Sequence, residues 1–278
     1  MITTWLEAPQ RRAALDRAFA VIPRSRLVTL EGVQNFRDLG GYPARGGCVT
    51  RPGVLFRSAE LSELHENDHQ VLHDLGVQWV LDLRSDRERG IRASPAIARV
   101  EHIACPIFGE EDYSPAALER RFSLYASGVP GFVEAYMYMM QTGMAAFGRA
   151  LTLIADSPAG VVFHCTAGKD RTGILSMLLL SLFGVDKDVI AWDYEQTERL
   201  ADRTPGTLAR IAGLQGKLSD DQAVSLMSAR AESMLLTMQA FEKKWGSVEN
   251  YLSQAGVSKD TIQKLKDKLL VEPLKSNL

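Results

Sequence analysis

The sequence has no excess of either charge: 32 Lys and Arg stand against 34 Asp and Glu, for a formal net charge of -2. That balance does not draw the whole molecule to nucleic acid or an anionic membrane, so any anion it binds must be held by a local arrangement of groups. Cysteine is scarce as well. Cys48, Cys105 and Cys165 are an odd number, widely spaced and without a CxxC partner, which excludes a disulfide framework and fits a reducing compartment. The first residues, MITTWLEAPQRRAALDRAF, contain no apolar signal-peptide core. The longest apolar run, ILSMLLLSLFGV from Ile174, is shorter than the ~20 residues of a membrane span. Repeats and low-complexity tracts are absent too. Together these absences predict a soluble, cytoplasmic protein with no membrane-integral segment, leaving open an export route that uses no signal sequence.

What is present is the composition of an ordinary globular domain, 46% apolar and 24% charged over 278 residues. That length predicts a single domain over 1–278 carrying an insertion. Short β-rich runs at 53–56, 77–83, 100–104 and 161–164 alternate with helical segments, which predicts an α/β fold with a central, largely parallel sheet flanked by helices. Gly76 is placed to end a helix before the strand VQWVLDL. After Gly184 the pattern is almost wholly helical. The interval from about 199 to 230, with weaker periodicity and more turn residues, predicts a helical insertion that covers the site as a lid.

The stretch most informative about chemistry is GVVFHCTAGKDRTGILSMLLLSLFG, Gly160 to Gly184, an apolar strand running through a short glycine-containing loop into an apolar helix. A loop of this length at a helix N-terminus can wrap its backbone N–H groups around a tetrahedral oxyanion, with the helix dipole adding positive potential at the same point. The same field and a neighbouring cation favour the thiolate of Cys165, the nucleophilic form. Arg171 supplies a planar fork for two phosphate oxygens. Thr166, Ala167, Gly168 and Lys169 complete the cradle, with Gly168 free to take positive φ and Gly173 allowing close approach to the new helix. Thr172 is placed to donate its hydroxyl to the sulfur, and His164 and Asp82 to support the loop from behind.

Covalent catalysis then needs an acid for the leaving oxygen and a base for water. Asp170, inside the loop, is the first candidate. Asp82, at the C-terminal end of a sheet strand, is the second. Glu110, Glu111 and Asp112 form a third group. A metal or organic cofactor is not required. Asn35, Arg37 and Asp38 before a Gly-Gly turn, Arg57 and Ser58 at a strand end, and Tyr136 are further candidate phosphate or substrate contacts. Arg84, Arg87, Arg89 and Arg92 form a possible positive rim, offset locally by Asp86 and Glu88.

Two readings of other classes compete. HENDH, His65 to His69, matches the HExxH pattern of zinc hydrolases, but Asn67 and Asp68 are helix-start residues that place His65 at the cap and off the helical face. A phosphate-binding module without turnover is the other, and nothing in the trio Cys165, Asp170 and Arg171 argues for lost activity.

HCTAGKDRTG resembles the signature of the protein tyrosine phosphatases, in the bacterial and fungal branch with an AGKDRTG loop. NFRDLGGY (35–42), LFRSAEL (55–61), VLDLRSDRE (80–88), DVIAWDY (188–194) and WGSVENYLSQAGVS (245–258) are similar to that branch in the same order. The resemblance implies a tyrosine-phosphatase-like fold, Cys165 as nucleophile, Arg171 as clamp, Asp170 as general acid and Lys169 as an extra phosphate ligand. It places 35–42 beside the phosphate loop, Tyr136 facing substrate, and a two-helix lid in the insertion. The implied substrates are phosphotyrosine proteins, with phosphoserine, phosphothreonine and phosphoinositides also within reach. HIACPIFGEEDYS lacks the Pro-Asp of a distant acid loop, which strengthens Asp170.

Overall fold

In the computed structural model, which describes residues 28–200 and 225–272, five strands form one sheet in the order β1-β3-β6-β4-β5. They are β1 (Arg37–Asp38), β3 (Leu55–Ser58), β4 (Val77–Asp82), β5 (Glu101–Ala104) and β6 (Gly160–His164). β3, β6, β4 and β5 run parallel, and β1 lies antiparallel on the edge against β3. These four parallel strands are the four expected from sequence, their ends displaced by a residue or two. β2 (Val49–Thr50) and β7 (Leu270–Val271) pair as a separate antiparallel ribbon, too short to show a period in the sequence.

Alternation along the strands divides the core. Phe56, Val80 and Val162 face one side, where they pack with Leu30, Val33 and Leu72 of α1 (Glu66–Asp74). Leu55, Leu81, Val161 and Phe163 face the other side and the larger cluster. That cluster is built with α3 (Pro115–Ala126), α4 (Val129–Thr142), α5 (Met144–Asp156), α6 (Asp170–Leu182) and α7 (Lys187–Glu195), and continues into α9 (Ala231–Trp245), α10 (Val248–Gln254) and α11 (Lys259–Leu269). Two short helices, α2 (Asp86–Ile91) and α8 (Thr197–Leu200), complete the series. Each buried Leu, Val or Phe contributes about 1.5–3 kcal/mol relative to exposure.

α6 is the central helix. Ile174, Leu175, Leu178 and Leu179 are all fully buried, and the helix is apolar around its whole circumference, as expected of one enclosed by others. The parallel register sets Ser58, His164 and Asp82 in one row at the C-terminal ends of β3, β6 and β4. The chain therefore leaves β6 at the carboxyl edge of the sheet, where open α/β sheets bind ligands, and enters α6 six residues after His164.

Gly76, at φ 69°, follows the C-cap of α1 as expected. At the other end of α1 the N-cap is His65, with extended φ and ψ. The Asp68 carboxylate accepts the N–H groups of Glu31 (2.7 Å), Gly32 (3.0 Å) and His65 (2.9 Å). HENDH is thus a helix cap tied to the preceding chain, and His65 stands off the helical face. Among the described residues no group of three His, Cys, Asp or Glu is placed to hold a metal ion, and no helix is long and apolar enough to cross a membrane. The lid expected from about 199 to 230 falls mostly on residues 201–224, outside the described residues.

Candidate active site

Between Cys165 and Lys169 the backbone carbonyls are held one after another from outside the turn. His164 Nδ1 lies 3.2 Å from the Cys165 carbonyl oxygen, and the Glu60 N–H donates to Thr166 O at 3.1 Å. Asn35 Nδ2 donates to Ala167 O (3.1 Å) and Gly168 O (3.0 Å), and Arg57 Nη2 also donates to Gly168 O at 2.8 Å. In a trans peptide the C=O and the following N–H point in opposite directions, and the described residues contain no cis bond. Four carbonyls pinned outward therefore turn the N–H groups of Thr166, Ala167, Gly168 and Lys169 to the inner side of the loop. Gly168 takes φ 64°, and a Cβ there would lie 2.3 Å from Ser58 O, so any larger residue would push the loop off β3.

Burial pushes the His164 imidazole down to about 4 despite the nearby Asp82 carboxylate. His164 is therefore neutral at pH 7, with its proton on Nδ1, the nitrogen that meets Cys165 O. Its Nε2 lies 3.6 Å from Asp82 Oδ2, which at that protonation is no ion pair.

Arg171 is fixed by Glu88. Its Nη1 and Nη2 donate to the two Glu88 carboxylate oxygens at 2.7 and 2.8 Å. Thr166 Oγ1 and the Tyr113 hydroxyl donate to the same carboxylate, each at 2.5 Å. Burial opposes charge on both partners. Their mutual attraction wins, holding Glu88 well below the usual carboxylate range and Arg171 well above its ordinary value. Arg171 Nη2 also lies 3.2 Å from Thr166 Oγ1, which ties the guanidinium to the residue that follows Cys165. The Phe108 ring lies 5.7 Å from the Arg171 guanidinium carbon, closing that side.

Asp170, the first residue of α6, accepts a 2.6 Å hydrogen bond from the Tyr136 hydroxyl on Oδ1. Lys169 Nζ lies 3.3 Å from the same oxygen. Lys169 is otherwise enclosed: its ammonium donates to Leu226 O (2.5 Å) and Ser228 O (3.3 Å) and stands over the rings of Phe132 and Tyr125.

A model of the tyrosine phosphatase family matches residues 28–271, a span that contains every group described above. The chain belongs to the tyrosine phosphatase family. It is 30% identical over 269 residues to a putative tyrosine-protein phosphatase of Cupriavidus necator, covering 90% of this chain and 93% of that one. It is also 30% identical over 282 residues to the triple specificity protein phosphatase PtpB of Mycobacterium tuberculosis, covering 87% and 98%. A tyrosine-protein phosphatase of Nostoc commune is 31% identical over 236 residues, 82% of this chain and 78% of that one.

Within this tyrosine phosphatase, the residues singled out from sequence fall into different places. Cys165 follows the end of β6, and Asp170 and Arg171 open α6. Arg171 meets Thr166 at 3.2 Å, and Asp170 meets Lys169 and Tyr136. Asn35 and Arg57 reach the loop through its carbonyls. Arg37 and Arg57 converge instead on Asp193 of α7, whose oxygens lie 2.9 Å from Arg37 Nε and 2.6 Å from Arg57 Nη1, with the Tyr42 hydroxyl donating at 2.9 Å. Burial pulls Arg57 down to about 10, with Arg37 adding to that shift and Asp193 opposing it. Arg37 is thus a partner of Asn35, Asp193 and Thr197. Asp38 caps a turn, accepting the N–H of Gly40 (2.7 Å) and Gly53 (2.6 Å), away from the cradle.

Asp82 is engaged by Arg84 through Nε (2.9 Å) and Nη2 (2.7 Å), so the second candidate acid is a structural carboxylate. Asp112 accepts the Gly109 N–H at 3.0 Å within a short 3-10 turn. The arginines of 84–92, read as locally offset, are largely paired: Arg84 with Asp82 and Glu60, Arg92 with Glu60 and Glu63, Arg89 with Asp86. Thr172 Oγ1 is buried and makes no hydrogen bond among the described residues. Tyr136 is fully buried, its hydroxyl on Asp170. Gly173 admits a ring rather than a helix, since a Cβ there would lie 3.0 Å from Tyr194 Cδ2.

Glu88, Asp193 and Tyr194 are the participants that sequence reasoning missed. Glu88 had a legible signal: Ser85-x-x-Glu88 is a capping box. Both of its bonds are present, with Glu88 N–H donating to Ser85 Oγ (3.2 Å) and Ser85 N–H to Glu88 Oε2 (3.0 Å).

Proposed function

We propose that this chain hydrolyses phosphomonoesters through a phosphocysteine at Cys165. The observation that carries the reading is the run of four carbonyls, 165 to 168, held from outside the loop, which turns the amides that follow them to its inner side, with Arg171 Nη2 3.2 Å from Thr166 Oγ1. Preorganised donors of this kind stabilise an oxyanion without reorganising during the reaction. The thiolate attacks phosphorus in line, the loop amides and Arg171 hold the equatorial oxygens, and Asp170 gives its proton to the departing oxygen. Asp170 then takes a proton from the water that cleaves the S–P bond. This scheme needs no metal or organic cofactor.

The substrates in this reading are phosphotyrosine proteins, extending to phosphoserine and phosphothreonine. The triple specificity of the mycobacterial relative's name supports that breadth. Phosphoinositides belong to the same reading if Lys169 exchanges its carbonyl partners for a second phosphate. We also place the enzyme in a reducing compartment, most simply the cytoplasm, because Cys48, Cys105 and Cys165 are all free thiols.

The test is turnover of an aryl phosphate in excess chelator, comparing wild type with Cys165→Ser, Asp170→Asn and His65→Ala. Expected are activity indifferent to chelator and to His65→Ala, loss in Cys165→Ser, and a large drop in Asp170→Asn. Chelator-sensitive turnover or full activity of the serine variant would reject the mechanism. A panel of phosphopeptides and phosphoinositides ranks the substrates.

A further inference from the structure

We infer that Tyr194 and Tyr136 form a donor chain that decides which oxygen of Asp170 carries the transferable proton, making Tyr194 a positioning residue for acid-base catalysis. The inference rests on the reading of Asp170 as general acid.

A phenol has one proton to give. Tyr136 gives its proton to Asp170 Oδ1 at 2.6 Å, so the 2.6 Å contact between the Tyr136 and Tyr194 hydroxyls is donated by Tyr194. The order is Tyr194 O–H to Tyr136 O–H to Asp170 Oδ1. Lys169 Nζ approaches that same oxygen at 3.3 Å. With a phenol donor and an ammonium charge both at Oδ1, the proton that Asp170 transfers resides on Oδ2.

Both phenols are buried. Burial first, and the Asp170 charge next, hold each well above the ordinary tyrosine value, so both remain donors at neutral pH. Donors in series polarise one another, so the inner bond gains from the outer one.

The rings are fixed as well as the hydroxyls. Tyr136 and Tyr194 meet edge to face at 6.2 Å, and Tyr136 meets Phe132 in the same manner at 5.9 Å. Tyr194 also abuts Gly173 on the first turn of α6. The carboxyl plane of Asp170 is thereby set from outside the cradle, by a residue of α7 that never meets substrate.

The proton balance is simple. As the Sγ–P bond forms and the P–O bond to the leaving group breaks, the Oδ2 proton passes to the leaving oxygen. As a water oxygen attacks phosphorus and the S–P bond breaks, one water proton returns to Oδ2. Oδ1 keeps its tyrosine donor throughout.

Leaving-group dependence reads this role directly. The ratio kcat/KM covers steps only through departure of the leaving group, so phosphocysteine hydrolysis does not enter. Phenoxide needs the acid, whereas dinitrophenoxide leaves with little help. The experiment compares kcat/KM for phenyl phosphate and 2,4-dinitrophenyl phosphate in wild type, Asp170→Asn, Tyr136→Phe and Tyr194→Phe.

For phenyl phosphate the expected losses are about 100-fold or more in Asp170→Asn, about tenfold in Tyr136→Phe and roughly threefold in Tyr194→Phe. With dinitrophenyl phosphate the tyrosine variants should stay within about twofold of wild type. Equal losses on both substrates in the tyrosine variants, or no loss on either, overturn the inference, since packing alone cannot discriminate leaving groups. If Asp170→Asn itself loses both substrates equally, the acid reading falls and takes the inference with it. Normal discrimination by Asp170→Asn with none from the tyrosines refutes the donor chain alone.

Discussion

Glu88 meets Arg171 fork to fork, each carboxylate oxygen accepting one terminal nitrogen at 2.7 and 2.8 Å. This pair holds the guanidinium plane at one angle before any phosphate arrives. In the proposed mechanism the cost of substrate binding is lower because this guanidinium is already ordered.

Glu88→Ala should therefore weaken phosphate and vanadate binding and lower kcat/KM by about 10- to 100-fold. It should also destabilise the fold by about 3 kcal/mol, because it leaves a buried guanidinium uncompensated. Inhibition constants and denaturant unfolding check both effects. Vanadate affinity unchanged from wild type would show that Arg171 orients itself.

Asn35 holds two loop carbonyls with one amide, at φ 57°. Asn35→Gly keeps that left-handed backbone accessible and removes only the amide. It is expected to lower vanadate affinity by about tenfold with a smaller change in thermal stability. Tight vanadate binding in this variant would mean that Arg57 and Glu60 suffice to turn the amides inward.

Asp193 lies between Arg37 and Arg57, and those guanidiniums keep it well below the usual range in spite of complete burial. Replacing it by Asn leaves two buried cations facing each other. A loss of about 3–5 kcal/mol in unfolding free energy is expected, read by urea titration with activity followed in parallel. Asp193→Asn as stable as wild type would show that the arginines find other partners.

Acid should weaken the fold through His164. Its pKa is depressed to about 4 in the folded chain, against about 6.5 when unfolded. Between those values the unfolded chain binds more protons, so stability is fully present above about pH 6.5 and is lost as the pH falls toward 4. Integrated over that window, the loss approaches about 3 kcal/mol. His164→Asn is expected to flatten the pH dependence of unfolding between pH 4 and 6.5. An unchanged slope would put the proton uptake elsewhere.

The sheet was legible because each parallel strand is a short β-branched run bounded by turn residues, as in Val77–Asp82 and Gly160–His164. The loop was legible because Cys165 to Arg171 are contiguous, so one local pattern carries strand, turn and helix start. The supports of that loop were not, since each lies far along the chain. RSDRERGIR alternates in sign, so Glu88 reads as a charge that cancels its neighbours, and its meeting with Arg171 exists only in three dimensions. Asp193 and Tyr194 end an aromatic-rich helix that reads as core, which it is. That their polar atoms face Arg57 and Tyr136 depends on how α7 packs on α6 and α9. Lys169, expected on phosphate, is drawn to the carbonyls of Leu226 and Ser228, contacts that no local pattern announces.

α6 lies inside the protein on every side, and its first turn bears both Asp170 and Arg171. In the proposed mechanism reactivity is consequently anchored to a helix enclosed by the core, so the chemistry cannot fade by degrees while the body stays intact. Loss of turnover and global melting should share one midpoint in denaturant, with activity serving as a gauge of how much of the population is folded.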